Sequence, residues 1–320
     1  MDAFFVMLRN VLLFVALAVP GFILVKKGWI KKEQSEVISG LITYIGFPFM
    51  VAAGTIGSIT VTNETFLALL LSFLLYAAFT FLALFAARPL TAFEKEPKRS
   101  GMIKFCSVMA NNGFLGMPLG IAVFGINSPV IPVMIAANIV NGIMLNTIGL
   151  YLVTGDKSRI NLKNLLFNPV MIAFVVGILL NLCHVPEYVP EVTKFCEYLG
   201  NIVTPLSMTV IGMKLGSINF KDVFCGWKVY YVAFLKLVAF PLAAVCVLFA
   251  LRFASQDIFT VAFCMGLTVS FSTPTATLST AFADRYGGDV ENAVAYTLGS
   301  TLLSVITLPL LFALASAIFV

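Results

Sequence analysis

The chain has 320 residues, of which 60% are hydrophobic and only 11% are charged, and its mean hydropathy is +1.01. A soluble domain carries roughly a quarter of its residues as charged groups, so this composition excludes a water-soluble globule and indicates a protein whose solvent is lipid. The formal net charge of +5 does not indicate nucleic-acid binding, because most basic residues fall on one side of the predicted membrane.

Ten apolar stretches approach the roughly 20 residues that a helix needs to span the hydrocarbon core of a bilayer. In chain order, these predicted spans 1 to 10 are 3–25, 37–59, 64–87, 103–124, 129–153, 168–184, 198–218, 228–251, 257–282 and 290–319. The first has no basic region before it and no small-residue cleavage site after it, so we interpret it as a span rather than a signal peptide. The sequence predicts an all-α membrane protein with ten transmembrane helices.

The basic residues predict how these spans are oriented. Sixteen of the twenty Lys and Arg residues lie in or beside the connections after odd-numbered spans: Lys26, Lys27, Lys31, Lys32, Arg88, Lys95, Lys98, Arg99, Lys104, Lys157, Arg159, Lys163, Lys214, Lys221, Lys228 and Arg285. Because cytoplasmic loops carry the excess of Lys and Arg, these connections are predicted to be cytoplasmic. Both termini are then extracytoplasmic in a multi-pass protein of the cell membrane.

The two halves of the chain resemble each other. Spans 2 and 7 carry Pro48 and Pro205 and both end on Gly-Ser-Ile, and spans 4 and 9 carry Pro118 and Pro274, at offsets close to half the chain length. Each repeat holds five spans, and because five is odd the second copy inserts upside down, as in secondary transporters. The predicted first repeat, short cytoplasmic linker and inverted second repeat are residues 1–153, 154–167 and 168–320.

Span 4 is interrupted by helix-weakening and polar residues, namely Asn111, Asn112, Gly113, Gly116 and Pro118. Proline removes a backbone donor and glycine lowers helix propensity. A freed backbone group in lipid costs several kcal/mol unless protein or water satisfies it. The pattern therefore predicts a broken helix that is packed inside the protein or lines a wet cavity.

Span 9 has the same kind of interruption at Ser270, Ser272, Thr273, Pro274 and Thr275. Inverted repeats bring two such breaks together near the midplane, where the N-termini of the half-helices attract anions. A single proline kink is more often a packing feature. Two kinks at corresponding positions, each with a polar cluster, favour a substrate site.

Neighbouring spans add polar side chains that face inward. Asn138 and Asn141 share one face of span 5, and span 10 carries a stripe of hydroxyls at Thr297, Ser300, Ser304 and Thr307. Hydroxyls of this kind also serve as plain helix-packing contacts. Lys236, about nine residues into span 8, either extends to the headgroups or faces the cavity and balances a substrate carboxylate.

Several function classes lack their chemistry in this sequence. No Asp or Glu lies within the interruptions of spans 4 and 9, which argues against a sodium–proton antiporter. The chain has no HExxH motif, no P-loop and no Ser–His–Asp set, which argues against an intramembrane protease and against ATP binding. The six cysteines show no metal-ligand spacing, so no cofactor is predicted.

Four segments spread over the whole chain form a recognisable set of motifs: 111–119 (NNGFLGMPL), 168–169 (NP), 204–215 (TPLSMTVIGMKL) and 299–310 (GSTLLSVITLPL). With these motifs the chain resembles the auxin efflux carrier family, which includes bacterial malate and malonate permeases and the plant PIN auxin carriers. The family implies two inverted five-helix repeats in which broken spans 4 and 9 cross. It also implies a scaffold of spans 1, 2, 6 and 7, a transport domain of the other spans, and an elevator-like movement between them.

In plant relatives, an asparagine beside each crossover proline holds the substrate carboxylate. Asn111 and Asn112 match in the first repeat, whereas Ser270, Ser272 and Thr273 stand in the second without an asparagine. Together with the short linker, this departure makes a bacterial permease the better analogue.

We therefore expect a secondary active or facilitative transporter of a small mono- or dicarboxylate that sits near Asn112 and Thr273, with Lys236 as a candidate counter-charge. The sequence leaves the coupling open between protons, sodium and the membrane potential, and a homodimer in membrane lipid is one option for the oligomeric state. Alternatives are a non-transporting sensor or scaffold on the same fold and, with its catalytic groups missing, an intramembrane enzyme.

Overall fold

The computed structural model describes residues 2–58, 62–160, 168–218, 224 and 226–320. Within these residues the chain is helical apart from its connections and one isolated β-bridge. The all-α prediction is confirmed. Half of the predicted linker (161–167) lies outside the described residues, as do Lys163 and Lys221, which were used for orientation, and Ile59, the last residue of predicted span 2.

The first half of the chain forms helices α1 to α8. Their bounds are α1 Asp2–Lys26, α2 Ser35–Leu41, α3 Phe47–Ser58, α4 Asn63–Leu90, α5 Pro97–Val108, α6 Met117–Phe124, α7 Val130–Met144 and α8 Leu150–Thr154. The π-helical turns Ile42–Gly46 and Leu145–Gly149 join α2 to α3 and α7 to α8 without a break. Among the described residues of this half, the connection from α5 to α6 alone interrupts a predicted span.

The second half forms helices α9 to α17. Their bounds are α9 Pro169–Leu182, α10 Val185–Tyr188, α11 Glu191–Gly200, α12 Val203–Gly216, α13 Trp227–Phe234, α14 Phe240–Ala254, α15 Val261–Ser272, α16 Leu278–Tyr286 and α17 Val290–Phe319. The π-helical turn Leu235–Ala239 joins α13 to α14. The connection from α15 to α16 interrupts predicted span 9.

Six helices of the described residues are long and apolar enough to cross a membrane. They are Ala3–Lys26, Ser35–Ile56, Glu64–Leu90, Val130–Thr154, Trp227–Ala254 and Val290–Phe319, which correspond to predicted spans 1, 2, 3, 5, 8 and 10. Span 6 is a shorter apolar helix, and spans 4, 7 and 9 are each built from two pieces. A multi-pass membrane protein is confirmed, while the count of ten and the inversion of the repeats stay predictions.

Glycines bring two pairs of helices into close contact. Helix α1 packs along α12. A methyl group on Gly21 of α1 would overlap the carbonyl of Thr209 on α12, and a methyl group on Gly212 of α12 would overlap the carbonyl of Ala18 on α1. Helix α3 packs along α9, where a Cβ on Gly177 would lie 2.9 Å from the Cβ of Thr55. Small residues allow this close approach of the backbones. In lipid the hydrophobic effect does not hold helices together, and van der Waals packing at such contacts stabilises them instead.

The remaining long helices surround the two interrupted ones. Helix α7 packs against α4 and α15, and α17 packs against α13, α15 and α16. The side chains of α7 are almost all buried, which places it at the centre of this second group. The interruptions of spans 4 and 9 are therefore enclosed by protein rather than lipid.

Candidate functional site

The two interrupted helices meet where each loses its helical backbone. After the ends of α5 and α15, the chain is not helical at 109–111 and 273–276, and these segments run antiparallel with one β-bridge between Ala110 and Thr275. The Asn111 amide donates to the Pro274 carbonyl (2.8 Å), and the Ala276 amide donates to the Met109 carbonyl (3.0 Å). The predicted meeting of the two breaks is observed.

Side chains satisfy other backbone groups that the breaks release. Asn141 Nδ2 donates to the Ala110 carbonyl (2.8 Å), and Thr275 Oγ1 donates to the Cys106 carbonyl (2.6 Å). Ser300 Oγ, on α17, accepts from the Thr275 amide (3.2 Å). The interruptions are stable because these partners replace the helical hydrogen bonds that lipid could not supply.

The two prolines play different parts. Pro274 lies within the extended segment and offers its carbonyl to the other segment. Pro118 lies directly after the π-helical turn Asn112–Gly116, which runs without interruption into α6, several residues after the break begins at Met109. A proline inside a continuous helix removes one backbone donor, and the wider π-helical turn lies directly before it. The helix is broken at 109–111, ahead of Pro118, and the part that Pro118 plays in substrate binding stays a prediction.

Glycines let the π-helical turn Asn112–Gly116 approach its neighbours. A Cβ on Gly116 would lie 2.9 Å from Thr273 Cγ2, and a Cβ on Gly113 would lie 3.1 Å from the ring of Phe47. These distances are shorter than ordinary carbon contacts. Both glycines are therefore explained by close packing across the crossover.

A buried polar network crosses the site. Asn112 Nδ2 donates to the Tyr76 hydroxyl (2.9 Å), which donates to Asn141 Oδ1 (3.2 Å). Thr273 Oγ1 lies 3.1 Å both from Asn112 Oδ1 and from the carbonyl of Ser270, so the hydroxyl can donate to either acceptor. Asn112, Asn141 and Thr273 are thus linked to one another through side-chain oxygens and nitrogens.

Two donors at the crossover are left without partners. Asn111 Nδ2 and Ser270 Oγ are buried, and neither forms a hydrogen bond within the described part of the chain. A buried donor that forms no hydrogen bond costs about 1–3 kcal/mol of stability, so such a group in a native fold needs an explanation. The hydroxyls of Ser107 and Thr268, in the last turn of α5 and within α15, are in the same condition.

Lys236 faces the protein interior. Its side chain is only 3% exposed, and Nζ donates to the Phe271 carbonyl (3.0 Å) in the last turn of α15. The C-terminus of a helix carries partial negative charge, so a cation is favourable there. The alternative in which Lys236 reaches the headgroups is wrong, while its role as a substrate counter-charge stays a prediction.

The other predicted residues take lesser positions. Ser272 donates to the Thr268 carbonyl of its own helix, and Asn138 is buried, with Oδ1 facing Gly113. In the hydroxyl stripe of span 10, Thr297 bonds Ser279 of α16. These hydroxyls act chiefly as contacts within and between helices.

Sequence reasoning missed Tyr76. Its hydroxyl joins two of the predicted asparagines, and its ring stacks on Phe271 with centroids 4.4 Å apart. A signal was present, because tyrosine favours the membrane interfaces and Tyr76 lies in the middle of a long apolar helix. A buried hydroxyl at such a depth needs a partner inside the protein.

Comparison with known proteins gives a consistent assignment. Residues 5–312 match the family described as "Membrane transport protein". A relative from Methanothermobacter thermautotrophicus, described as an uncharacterized transporter, is 29% identical over 211 residues, and the match covers 64% of each chain. The chain therefore spans somewhat less than two thirds of that relative, and both findings point to a transporter rather than to an enzyme. The chain belongs to the membrane transport protein family, the auxin efflux carriers that its motifs resemble.

Proposed function

We propose that the protein is a secondary active or facilitative carrier of a small organic anion, a mono- or dicarboxylate such as malate or malonate. The observation that carries this proposal is a pair of unpartnered buried donors on the two interrupted helices, Asn111 Nδ2 next to the bridge residue Ala110 and Ser270 Oγ in the last turn of α15. A carboxylate accepts several hydrogen bonds and donates none when ionised. Its oxygens are therefore the partners that two buried donors require.

The hydrogen-bond network favours Asn111 over Asn112 as the ligand. Both the amide nitrogen and the amide oxygen of Asn112 have partners in Tyr76 and Thr273. Asn111 is only 3% exposed, and its side-chain nitrogen still has no hydrogen-bond partner. A substrate that binds Asn111 gains a bond without breaking one, whereas binding to Asn112 would first break an existing contact.

Charge supports an anion rather than a cation. Among the buried polar side chains of the described residues, Lys236 is the one that carries a charge. A buried cation in a low-dielectric interior is stabilised by an anion close by. Lys236 already bonds the Phe271 carbonyl, so the carboxylate adds a charge partner to the same end of α15.

The movement we propose is elevator-like, with spans 1, 2, 6 and 7 as the fixed scaffold. The glycine contacts of α1 with α12 and of α3 with α9 support a scaffold that stays rigid. Lys214, at the end of α12, bridges the two groups, since Nζ donates to the Thr277 carbonyl (3.2 Å) and to Thr280 Oγ1 (3.0 Å). If the transport domain slides past α12, this contact breaks in every cycle.

A reversible cross-link tests the movement. In a background without the six native cysteines, the Lys214→Cys/Thr280→Cys pair is bridged in proteoliposomes with a bis-methanethiosulfonate reagent, whose spacer replaces the length of the lost lysine side chain. We expect uptake to stop on cross-linking and to return on reduction. The matched control is Ser279→Cys/Thr297→Cys, whose hydroxyls bond each other inside the proposed transport domain, and its cross-linking should leave uptake unchanged relative to its reduced form. Uptake that continues through the cross-linked 214–280 pair contradicts the movement.

Uptake measurements test the proposed function itself. Labelled malonate or malate is presented to proteoliposomes that contain the wild-type protein, Asn111→Ala or Asn146→Ala, with pH and sodium gradients imposed separately. Asn146 is the control, because its amide bonds the carbonyl of Gly142 on its own helix. We expect uptake by the wild type and by the control, and a loss of about tenfold or more in Asn111→Ala. Binding without uptake would favour the sensor alternative.

A further inference from the structure

Tyr76 contacts both interrupted helices from a third helix. On α4 it is 2% exposed, and its hydroxyl lies between Asn112 of the first segment and Asn141 of α7. Its ring stacks on that of Phe271, with an interplanar angle of 11°. Phe271 lies in the last turn of α15, just before the second segment. One side chain therefore bonds one half of the crossover and stacks on the other.

The phenol hydroxyl fixes the direction in which the Asn112 amide points. Because the hydroxyl donates its single proton to Asn141 Oδ1, it can only accept from Asn112, which turns the NH₂ group towards Tyr76. The Asn112 oxygen is then directed to Thr273 Oγ1, across the crossover. Without the hydroxyl, nothing among these contacts selects this orientation.

The same hydroxyl also steadies the backbone of the first segment. Asn141, which accepts from Tyr76, donates through Nδ2 to the carbonyl of Ala110, the bridge residue. Asn111, whose side-chain Nδ2 is unpartnered, lies between Ala110 and Asn112, and both neighbours are linked to Tyr76, one through Asn141 and the other directly. Tyr76 therefore contributes to the position of that donor, together with the bond from the Asn111 backbone amide to the Pro274 carbonyl.

We propose that Tyr76 is a positioning residue for substrate binding: it orients Asn112 and Asn141 so that the free donor of Asn111 faces a carboxylate at the crossover. This inference rests on the function proposed above. Tyr76 itself has no free hydrogen-bonding capacity of the kind that Asn111 has, and acts through its two asparagine partners.

The test is a double-substitution cycle on malonate binding. Tyr76→Phe keeps the stacked ring and removes the hydroxyl, and we expect the KM for malonate to rise about tenfold with a smaller change in maximal rate. In an Asn112→Ala background, Tyr76→Phe should have a much smaller effect, because residues that act as one unit are not additive. Phe79→Leu is the control: its ring meets Phe271 edge to face, and its effect should add to that of Asn112→Ala.

The outcomes separate the two proposals. Full additivity of Tyr76→Phe with Asn112→Ala, or an unchanged KM in Tyr76→Phe, overturns the positioning role. A wild-type protein that neither binds nor transports malonate or malate contradicts the proposed function instead. In that case the same cycle on the melting temperature of the unliganded protein still decides whether Tyr76 and Asn112 act together, and additive melting temperatures overturn the inference.

Discussion

The two interrupted segments meet through matching backbone bonds, yet they are supported by different chemistry. The first, at 109–111, is held by neutral groups, with Asn141 on the Ala110 carbonyl and Tyr76 on Asn112. The second is held by a cation and a hydroxyl, with Lys236 on the Phe271 carbonyl and Ser300 on the Thr275 amide. The first half thus supplies geometry and the second half supplies charge.

The largest effect is expected from removing the charge. Lys236→Met keeps the length of the side chain but deletes the ammonium that bonds Phe271, and we expect malonate uptake to fall by roughly a hundredfold, as for the loss of a buried charge partner. Lys236→Arg keeps the charge and should retain part of the uptake. If Lys236→Met takes up malonate nearly as well as the wild type, the proposal that the second half contributes a charge to substrate binding is contradicted.

The second prediction separates the two neighbouring asparagines. Asn112→Ala leaves Thr273 and Tyr76 each without one partner, so we expect the free energy of unfolding to fall by about 1–3 kcal/mol. Asn111→Ala deletes a donor that has no partner, so the melting temperature without substrate should stay the same or rise. Thermal unfolding of the two purified variants checks both, and equal destabilisation would contradict the assignment of roles.

The third prediction concerns the fit between the segments. An added methyl group in Gly116→Ala meets Thr273 at 2.9 Å, and overpacking of this kind costs about 1–3 kcal/mol. Gly142→Ala, on α7, meets nothing within 4 Å and should be neutral or slightly stabilising, because alanine favours helix. Melting temperatures of both variants, followed by malonate uptake, measure the difference.

The smallest effect lies at the membrane surface. Lys228 Nζ donates to Glu94 Oε2 (2.6 Å), and this bond lowers the pKa of the Glu94 carboxyl. The stability that this bond adds is present above the ordinary carboxyl pKa and is lost as the pH falls through the lowered one. Glu94→Gln should therefore lower the melting temperature slightly at neutral pH and not at acid pH. Glu96→Gln, in an exposed pair with Arg99, is the control and should change little.

The sequence predicted the interruptions because polar residues, glycine and proline stand out in an apolar run. It placed Asn111, Asn112, Thr273 and Pro274 at a common crossover, where the structure has them. The break itself lies at 109–111, ahead of Pro118, because a proline marks the neighbourhood of an interruption and not the residue at which the helix ends.

Other features needed three-dimensional contacts. Tyr76 is separated from Asn112 and Asn141 by 36 and 65 residues, so no local pattern joins them. Lys214 was counted with the cytoplasmic basic residues, yet its ammonium crosses to the first turn of α16. Hydropathy indicates which segments lie in a membrane, and it carries no information about which side chains contact one another.

An experimental structure with bound malonate tests the account most directly. We expect one carboxylate to lie at the crossover, with an oxygen at a hydrogen-bonding distance of about 3 Å from Asn111 Nδ2 and another near Ser270 Oγ, while the contacts of Asn112 with Tyr76 and Thr273 persist. A malonate bound away from residues 109–111 and 273–276, with Asn111 Nδ2 still unpartnered, would contradict it.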